Sequence, residues 1–425
     1  MSEDKTFKES VLKSLFWLST GNFSAQLISW LSTIIVIRLL TPSDYGIMAM
    51  ATVLIAFLTL ISEMGISAAI IQAKDITDYE IRQVYGFVVI ITLVMVLVTY
   101  FLAPAVAYFF NEGKLIMLVK VLSVNFLLIG LYVVPQSVLV RKMDFNVKAK
   151  ADVFAQLGSS IITVAVAYAG FGVWALVCGV ISLHTLRAIG FNIAYGKIFM
   201  PSFKFRGAGS LLKFGLVITG DRIFYYLYEE SDKVIVGKFL GNNMLGLYSV
   251  AMTLSSMVML KLLPIITQVT FTAYSRIQHD VERIGKNILN TTHTVAFLAF
   301  PLFLGMSAVA PEAIPLLLGP KWTSIVVPFR FFCIIMPLKS LSVILPPAVF
   351  AIGRPKVNLS NMVITFAVMS LSFLAGVWAG GLLGVILAWI IAYPVVFVIT
   401  EIVRENFLFG FPWLTFAVIA SSNYY

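Results

Sequence analysis

Six ionisable residues, Asp221, Arg222, Glu229, Glu230, Asp232 and Lys233, crowd a stretch (residues 211–237) that is otherwise apolar enough to cross a bilayer. Each charge near the centre of a membrane helix costs about 2.5–3.5 kcal/mol to insert, whereas a good apolar residue returns only about 0.3–0.6 kcal/mol. Several such charges facing lipid would nearly cancel the insertion energy of the helix. Arg222, Tyr225, Tyr226, Glu229, Asp232 and Lys233 recur at helical spacing, so they form one stripe suited to a watery interior. Glu229 and Lys233 also stand at i and i+4 in the favourable order for an ion pair. The plainer reading is that these two only neutralise each other, or that this end of the helix sits among lipid headgroups.

The helix that carries the stripe has a relative earlier in the chain. Ile35, Val36, Leu40, Gly46, Ala51 and Leu54 are matched 200 positions later by Ile235, Val236, Leu240, Gly246, Ala251 and Leu254. With one gap, Thr20-Gly21-Asn22 pairs with Thr219-Gly220-Asp221, so a unit of about 200 residues is duplicated. At matching positions of the first copy, Asn22, Gln26, Ser29, Ser32 and Thr33 make an uncharged polar stripe. Two polar stripes, one per copy, outline a central cavity, and duplicated membrane halves point to a transporter that rocks around it.

Composition supports a membrane chain: 60% of residues are hydrophobic, 12% are charged, and the mean hydropathy is +0.96. The expected fold class is all-α and polytopic, with about twelve transmembrane helices in two parallel six-helix repeats around a central cavity. Expected spans are 12–39, 46–71, 84–110, 115–140, 152–169, 172–195, 211–237, 245–273, 287–310, 324–351, 357–378 and 382–403. Six spans separate the copies, so both enter the membrane from the same side. With the N-terminus in the cytoplasm, twenty of the 30 Lys and Arg face that side, six face the other and four lie within spans. The formal charge of +10 is therefore a topology signal plus attraction to anionic membrane lipids, with no nucleic acid implied.

The expected domains are a six-helix lobe over residues 1–195, a cytoplasmic interfacial linker over 196–210, a second six-helix lobe over 211–405, and a short segment over 406–425. Further candidate cavity charges are Glu63, Arg187, Lys261, Arg330 and Lys339, of which Arg187, Lys261 and Arg330 can instead snorkel to an interface. His184 and His293 read as hydrogen-bonded packing residues, and Cys178 and Cys333 as small core residues. No enzyme is expected: the three histidines lack metal-site spacing, there is no Walker-type glycine loop, and no loop can house a sugar-nucleotide domain. No catalytic residue, bound metal or cofactor is assigned, and transport would draw on the membrane potential or a coupling ion such as Na+ or H+.

A series of motifs surrounds the stripes: Arg38-Leu39-Leu40-Thr41-Pro42 with Asp44-Tyr45-Gly46, Glu63-Met64-Gly65, Arg141-Lys142-Met143-Asp144-Phe145 and Gly170-Phe171-Gly172-Val173-Trp174. The second half adds Asp232-Lys233, Gly237-Lys238-Phe239-Leu240-Gly241, Leu245-Gly246-Leu247-Tyr248, Ser275-Arg276-Ile277-Gln278, Leu318-Gly319-Pro320-Lys321-Trp322 and Gly353-Arg354-Pro355. In order and spacing these resemble the polysaccharide flippase family within the multidrug/oligosaccharidyl-lipid/polysaccharide exporter superfamily, in particular its colanic-acid-type exporters. The resemblance implies a two-lobed bundle of the bacterial inner membrane that moves a polyprenyl-pyrophosphate-linked oligosaccharide to the outer leaflet for lipopolysaccharide or exopolysaccharide biosynthesis. A polysaccharide polymerase and export machinery are the partners it implies. A pyrophosphate wants Arg or Lys donors, and a sugar chain wants polar and aromatic walls. Exporter-type relatives commonly carry further spans, so the pattern puts the completeness of the C-terminus in question. The alternatives are a drug or metabolite cation antiporter of the same superfamily and, further off, a membrane polysaccharide polymerase or acyltransferase.

The charge bias places the N-terminus and the linker in the cytoplasm. A reporter fused after Phe205 that is active only in the periplasm should be silent, while a cytoplasmic reporter there should be active; the reverse pattern would contradict the orientation.

Overall fold

The structure is a computed structural model that describes residues 26, 28–63, 67, 70–71, 76–196, 200–203, 209–259, 267, 270, 274, 277 and 280–403. Helices α1 to α7 are Ile28–Leu39, Pro42–Glu63, Asp78–Phe110, Leu115–Leu122, Val124–Arg141, Phe145–Tyr168 and Val173–Tyr195. They are followed by α8 (Gly209–Ser256), α9 (Val281–Leu318), α10 (Val326–Ser342), α11 (Pro346–Ala351) and α12 (Pro355–Phe397). No strand occurs among the described residues. Eight candidate spans are long and apolar enough to cross a membrane, so the chain is a multi-pass membrane protein.

Helix labels and spans do not correspond one to one. Two labelled helices are broken, α8 at Gly241 and α12 at Gly380 and Gly381, so each overlaps two of the expected spans. Conversely, α4 and α5 join at Ser123 into one span, and a 3-10 turn (Pro320–Ile325), α10 and α11 make another. Where their residues are described, the expected spans are mostly helical, with turn or bend residues inside them at 123, 257–258 and 343–345. The final span ends in a π-helical turn, Val398–Val403.

The chain divides into two compact units, Met1–Ile223 and Phe224–Tyr425. In the first, the start of α2 shows why the Thr41-Pro42 and Asp44 motif has its form. Pro42 occupies the first helical position, where its missing N–H costs nothing. The Asp44 N–H donates to Thr41 Oγ1 at 3.3 Å, and Thr41 N–H donates back to Asp44 Oδ2 at 3.0 Å. The other carboxylate oxygen accepts the Val173 N–H at 2.9 Å, so Asp44 also caps α7 from 129 residues away. Gly172 just before has φ 57°, and a Cβ there would stand 2.9 Å from Asp44 Oδ1. Two motifs distant in sequence are thus halves of one joint.

The duplication is visible in the backbone. Left-handed residues occur at Asn111, Met143 and Gly172 in the first half, and at Gly319, Gly353 and Gly381 in the second. Gly172 and Gly381 share φ 57° and ψ −131°. Elsewhere in the first unit, a reciprocal Thr77–Glu80 capping box opens α3. Residues 200–203 of the expected linker lie against that helix: Ser202 N–H donates to Arg82 O at 2.8 Å, and Arg82 Nε donates to Met200 O at 3.0 Å.

Candidate functional site

The second unit gathers Glu229, Glu230, Asp232 and Lys233 of α8 into a connected network. Asp232 is 1% exposed, so its carboxylate must find all its donors within the protein. Oδ2 accepts the Tyr248 hydroxyl at 2.5 Å and Oδ1 accepts the Lys233 N–H at 2.6 Å, the short distances of charge-assisted bonds. Tyr248 OH in turn accepts from Trp389 Nε1 at 2.8 Å. The break at Gly241 lets the chain reverse, which brings Tyr248 back beside Asp232, and the second half of α12 supplies Trp389.

The same indole bears a charge on its face. Lys339 of α10 holds its Nζ 4.5 Å from the Trp389 ring centroid and 3.6 Å from Glu229 Oε1. A separation of 3.6 Å is an ion pair without a hydrogen bond, and the Glu229 side chain remains 34% exposed while that of Lys339 is 11% exposed. Lys233 pairs with Glu230 at 2.7 Å. Aromatic rings pack the network from behind: Phe373 and Tyr393 flank Trp389, Phe332 meets Tyr248 edge-on, and Tyr393 OH donates to Ser342 Oγ at 3.1 Å. Three carboxylates and two ammonium groups among the described residues therefore sit together, a formal excess of one negative charge. Among the described residues no three His, Cys, Asp or Glu side chains converge as a metal site would require.

The ion pair expected between Glu229 and Lys233 is not the one formed. Lys233 takes the neighbouring acid at i−3, and Glu229 turns to Lys339 on another helix. The other expected residues lie as follows. Tyr225 is exposed and Tyr226 half-buried on α8; Gln26, Ser29, Ser32 and Thr33 are half-buried, with Thr33 Oγ1 bonded to Ser29 O at 2.7 Å. Asn22 and Lys261 lie outside the described residues, as do the side chains of Glu63 and Arg222. Arg187 pairs with Asp152 in the first unit, and Arg330 is exposed on α10. His184 takes a hydrogen bond with Tyr132 OH at 3.1 Å under a stacked ring, a packing arrangement.

Sequence reasoning missed Tyr248, Trp389 and Tyr393. One signal for the first was present. Where the first copy has Ser32 and Met48, the second has Asp232 and Tyr248, so the two departures from the repeat coincide in one hydrogen bond.

Comparison with known proteins places the chain among surface-glycan proteins. A family model described as polysaccharide biosynthesis protein matches residues 35–327. The chain is 27% identical over 357 residues to lipopolysaccharide biosynthesis protein WzxC of Escherichia coli (strain K12), covering 83% of this chain and 72% of that one. It is also 27% identical over 365 residues to teichuronic acid biosynthesis protein TuaB of Bacillus subtilis (strain 168), covering 85% and 73%. Among solved structures it resembles the lipid II flippase MurJ in an inward closed conformation, with a TM-score of 0.72 at 15% identity over 95% of this chain and 89% of that one. An inward-facing multidrug resistance MATE family transporter of the MOP superfamily gives a TM-score of 0.63 at 16% identity, over 90% and 96%. At such identities the two structures speak for a shared fold.

Removing the Tyr248 hydroxyl should strand both the Asp232 carboxylate and the Trp389 N–H. Tyr248→Phe is expected to destabilise the protein by about 1–3 kcal/mol, read as a lower thermal unfolding midpoint in detergent. An unchanged midpoint would contradict the network.

Proposed function

The chain belongs to the polysaccharide biosynthesis protein family, and from that premise we propose that it is a flippase for a polyprenyl-pyrophosphate-linked oligosaccharide. It carries this lipid from the cytoplasmic to the outer leaflet of the inner membrane, with its N-terminus in the cytoplasm, and does no covalent chemistry. The observation that carries the reading is the family match across most of the chain, joined to relatives named for lipopolysaccharide and teichuronic acid biosynthesis. The likeness in fold to a lipid II flippase supports it.

The residues suit the task in outline. The polar stripe of Asn22, Gln26, Ser29, Ser32 and Thr33 and, separately, the stripe of Arg222, Tyr225, Tyr226, Glu229 and Lys233 are hydrophilic surfaces suited to a glycan headgroup, while the lipid tail stays in the bilayer. Asp232, expected in that stripe, is buried and serves the packing of the helices instead. The lobes are residues 1–195 and 211–405, and the intervening segment is the cytoplasmic connection. The excess negative charge among the described residues around Glu229, Glu230 and Asp232 supports movement coupled to a cation, Na+ or H+, since excess charge in that setting is costly. The same excess favours, as a second reading, an antiporter of cationic drugs or metabolites.

The two readings part on cells carrying a clean deletion. A flippase leaves lipid-linked repeat units at the cytoplasmic face and one surface polysaccharide missing, detected by lipid extraction and glycan staining. Normal polysaccharide in a strain with no related gene, together with new sensitivity to cationic drugs, would overturn the flippase in favour of the antiporter.

A further inference from the structure

In the first unit, Lys148 and Asp152 of α6 and Arg187 of α7 form a cluster that the α8 network does not use. Lys148 Nζ lies 2.7 Å from Asp152 Oδ2, and Arg187 Nε lies 3.1 Å from Oδ1. The side chains are 23%, 12% and 30% exposed, so all three are largely withdrawn from solvent. Two cations share one anion, leaving a formal excess of one positive charge within helices that cross an apolar layer. Such an excess calls for a compensating anion.

The hydrogen bonding is incomplete in the same place. Although Arg187 Nε and Asp152 Oδ1 are close, their geometry is not that of a hydrogen bond, and both atoms are buried without one. Asp152 holds the guanidinium from its Nε side only. The two terminal nitrogens of Arg187 and the remaining ammonium hydrogens of Lys148 have no other hydrogen bond or ion pair among the described residues. That end of a guanidinium is the fork that grips a phosphate through two parallel bonds, and a lysine beside it adds a point charge. Depth fits a lipid phosphate as well. Asp152 lies roughly 10 Å along α6 from Phe145, and Arg187 roughly 12 Å from the end of α7 at Tyr195, so both sit just inside the same end of the hairpin.

We infer that Lys148 and Arg187 form a binding site for the phosphate group of a lipid, with Asp152 as the positioning residue that turns both cations toward it. One phosphate of a phospholipid or diphosphate lipid, bringing a single negative charge, balances the cluster without displacing Asp152. Resting on the flippase reading, the lipid would be the polyprenyl diphosphate carrier, engaged at the cytoplasmic end of the first lobe before translocation. A membrane phospholipid offers the same chemistry, and the test separates the two sources.

The full chain would be placed in nanodiscs of phosphatidylcholine and titrated with fluorescent polyprenyl diphosphate or fluorescent phosphatidylglycerol. Lys148→Gln, Asp152→Asn, Arg187→Gln together leave no stranded charge, so this triple variant is expected to fold; Lys356→Gln, elsewhere on the surface, is the control. Wild type and control should bind polyprenyl diphosphate at least about tenfold more tightly than the triple variant, the loss expected for one or more charge-assisted bonds. Asp152→Asn alone should weaken binding by less. Equal affinity in wild type and a folded triple variant overturns the site. If phosphatidylglycerol binds as tightly as polyprenyl diphosphate and both are lost in the triple variant, the phosphate site stands and the carrier assignment falls.

Discussion

The cost of an uncompensated charge inside a membrane organises this protein. Asp232 is the sharpest case, since a buried carboxylate survives only if donors are built around it. Its needs dictate Tyr248, and Tyr248 supplies the acceptor for the indole N–H of Trp389. The indole face then supports Lys339, which answers Glu229. Four helical segments are tied together by satisfying one carboxylate: both halves of α8, α10, and the second half of α12. Because replacing any one member strands its neighbours, the set behaves as a unit.

The network is closed at one end and open at the other. Around Asp232 every bond is short and the residues are buried, so this end fixes the helices. Glu229 and Lys339 are held more loosely, at 3.6 Å, with the acid partly accessible. A pair of that kind can exchange partners at lower cost than a hydrogen-bonded one. The first unit repeats the theme with opposite sign: Lys148, Asp152 and Arg187 leave a positive excess, and their hydrogen bonding is incomplete. The joint of Asp44 with Gly172 and Val173 shows no comparable slack.

Much of this was legible in the sequence for identifiable reasons. Span length, the offset of 200 residues and the crowding of charge in α8 are local or periodic signals, and they place the helices and the unusual one among them. The Thr41, Asp44 and Gly172 motifs could be quoted but not explained, because their meaning is a contact across 129 residues. The pairing of Glu229 failed for a related reason. Helical spacing offers Lys233 as a partner, but it cannot register a lysine 110 positions away on α10, nor the aromatic ring that steers it. Trp389 and Tyr393 read as ordinary apolar residues of a span until their partners are known.

We propose that the loosely held Glu229–Lys339 pair serves transport as well as packing, and neutralising both members tests this most directly. Glu229→Gln with Lys339→Met removes the two charges while keeping size and leaving neither stranded, a replacement that buried pairs commonly tolerate. The measurement is the amount of the exported surface polysaccharide in cells whose only copy carries this double change, normalised to the protein in the membrane. Normal protein level with polysaccharide absent or strongly reduced is the predicted result. Polysaccharide at the wild-type amount would mean that the pair only holds helices together, contradicting its role in transport.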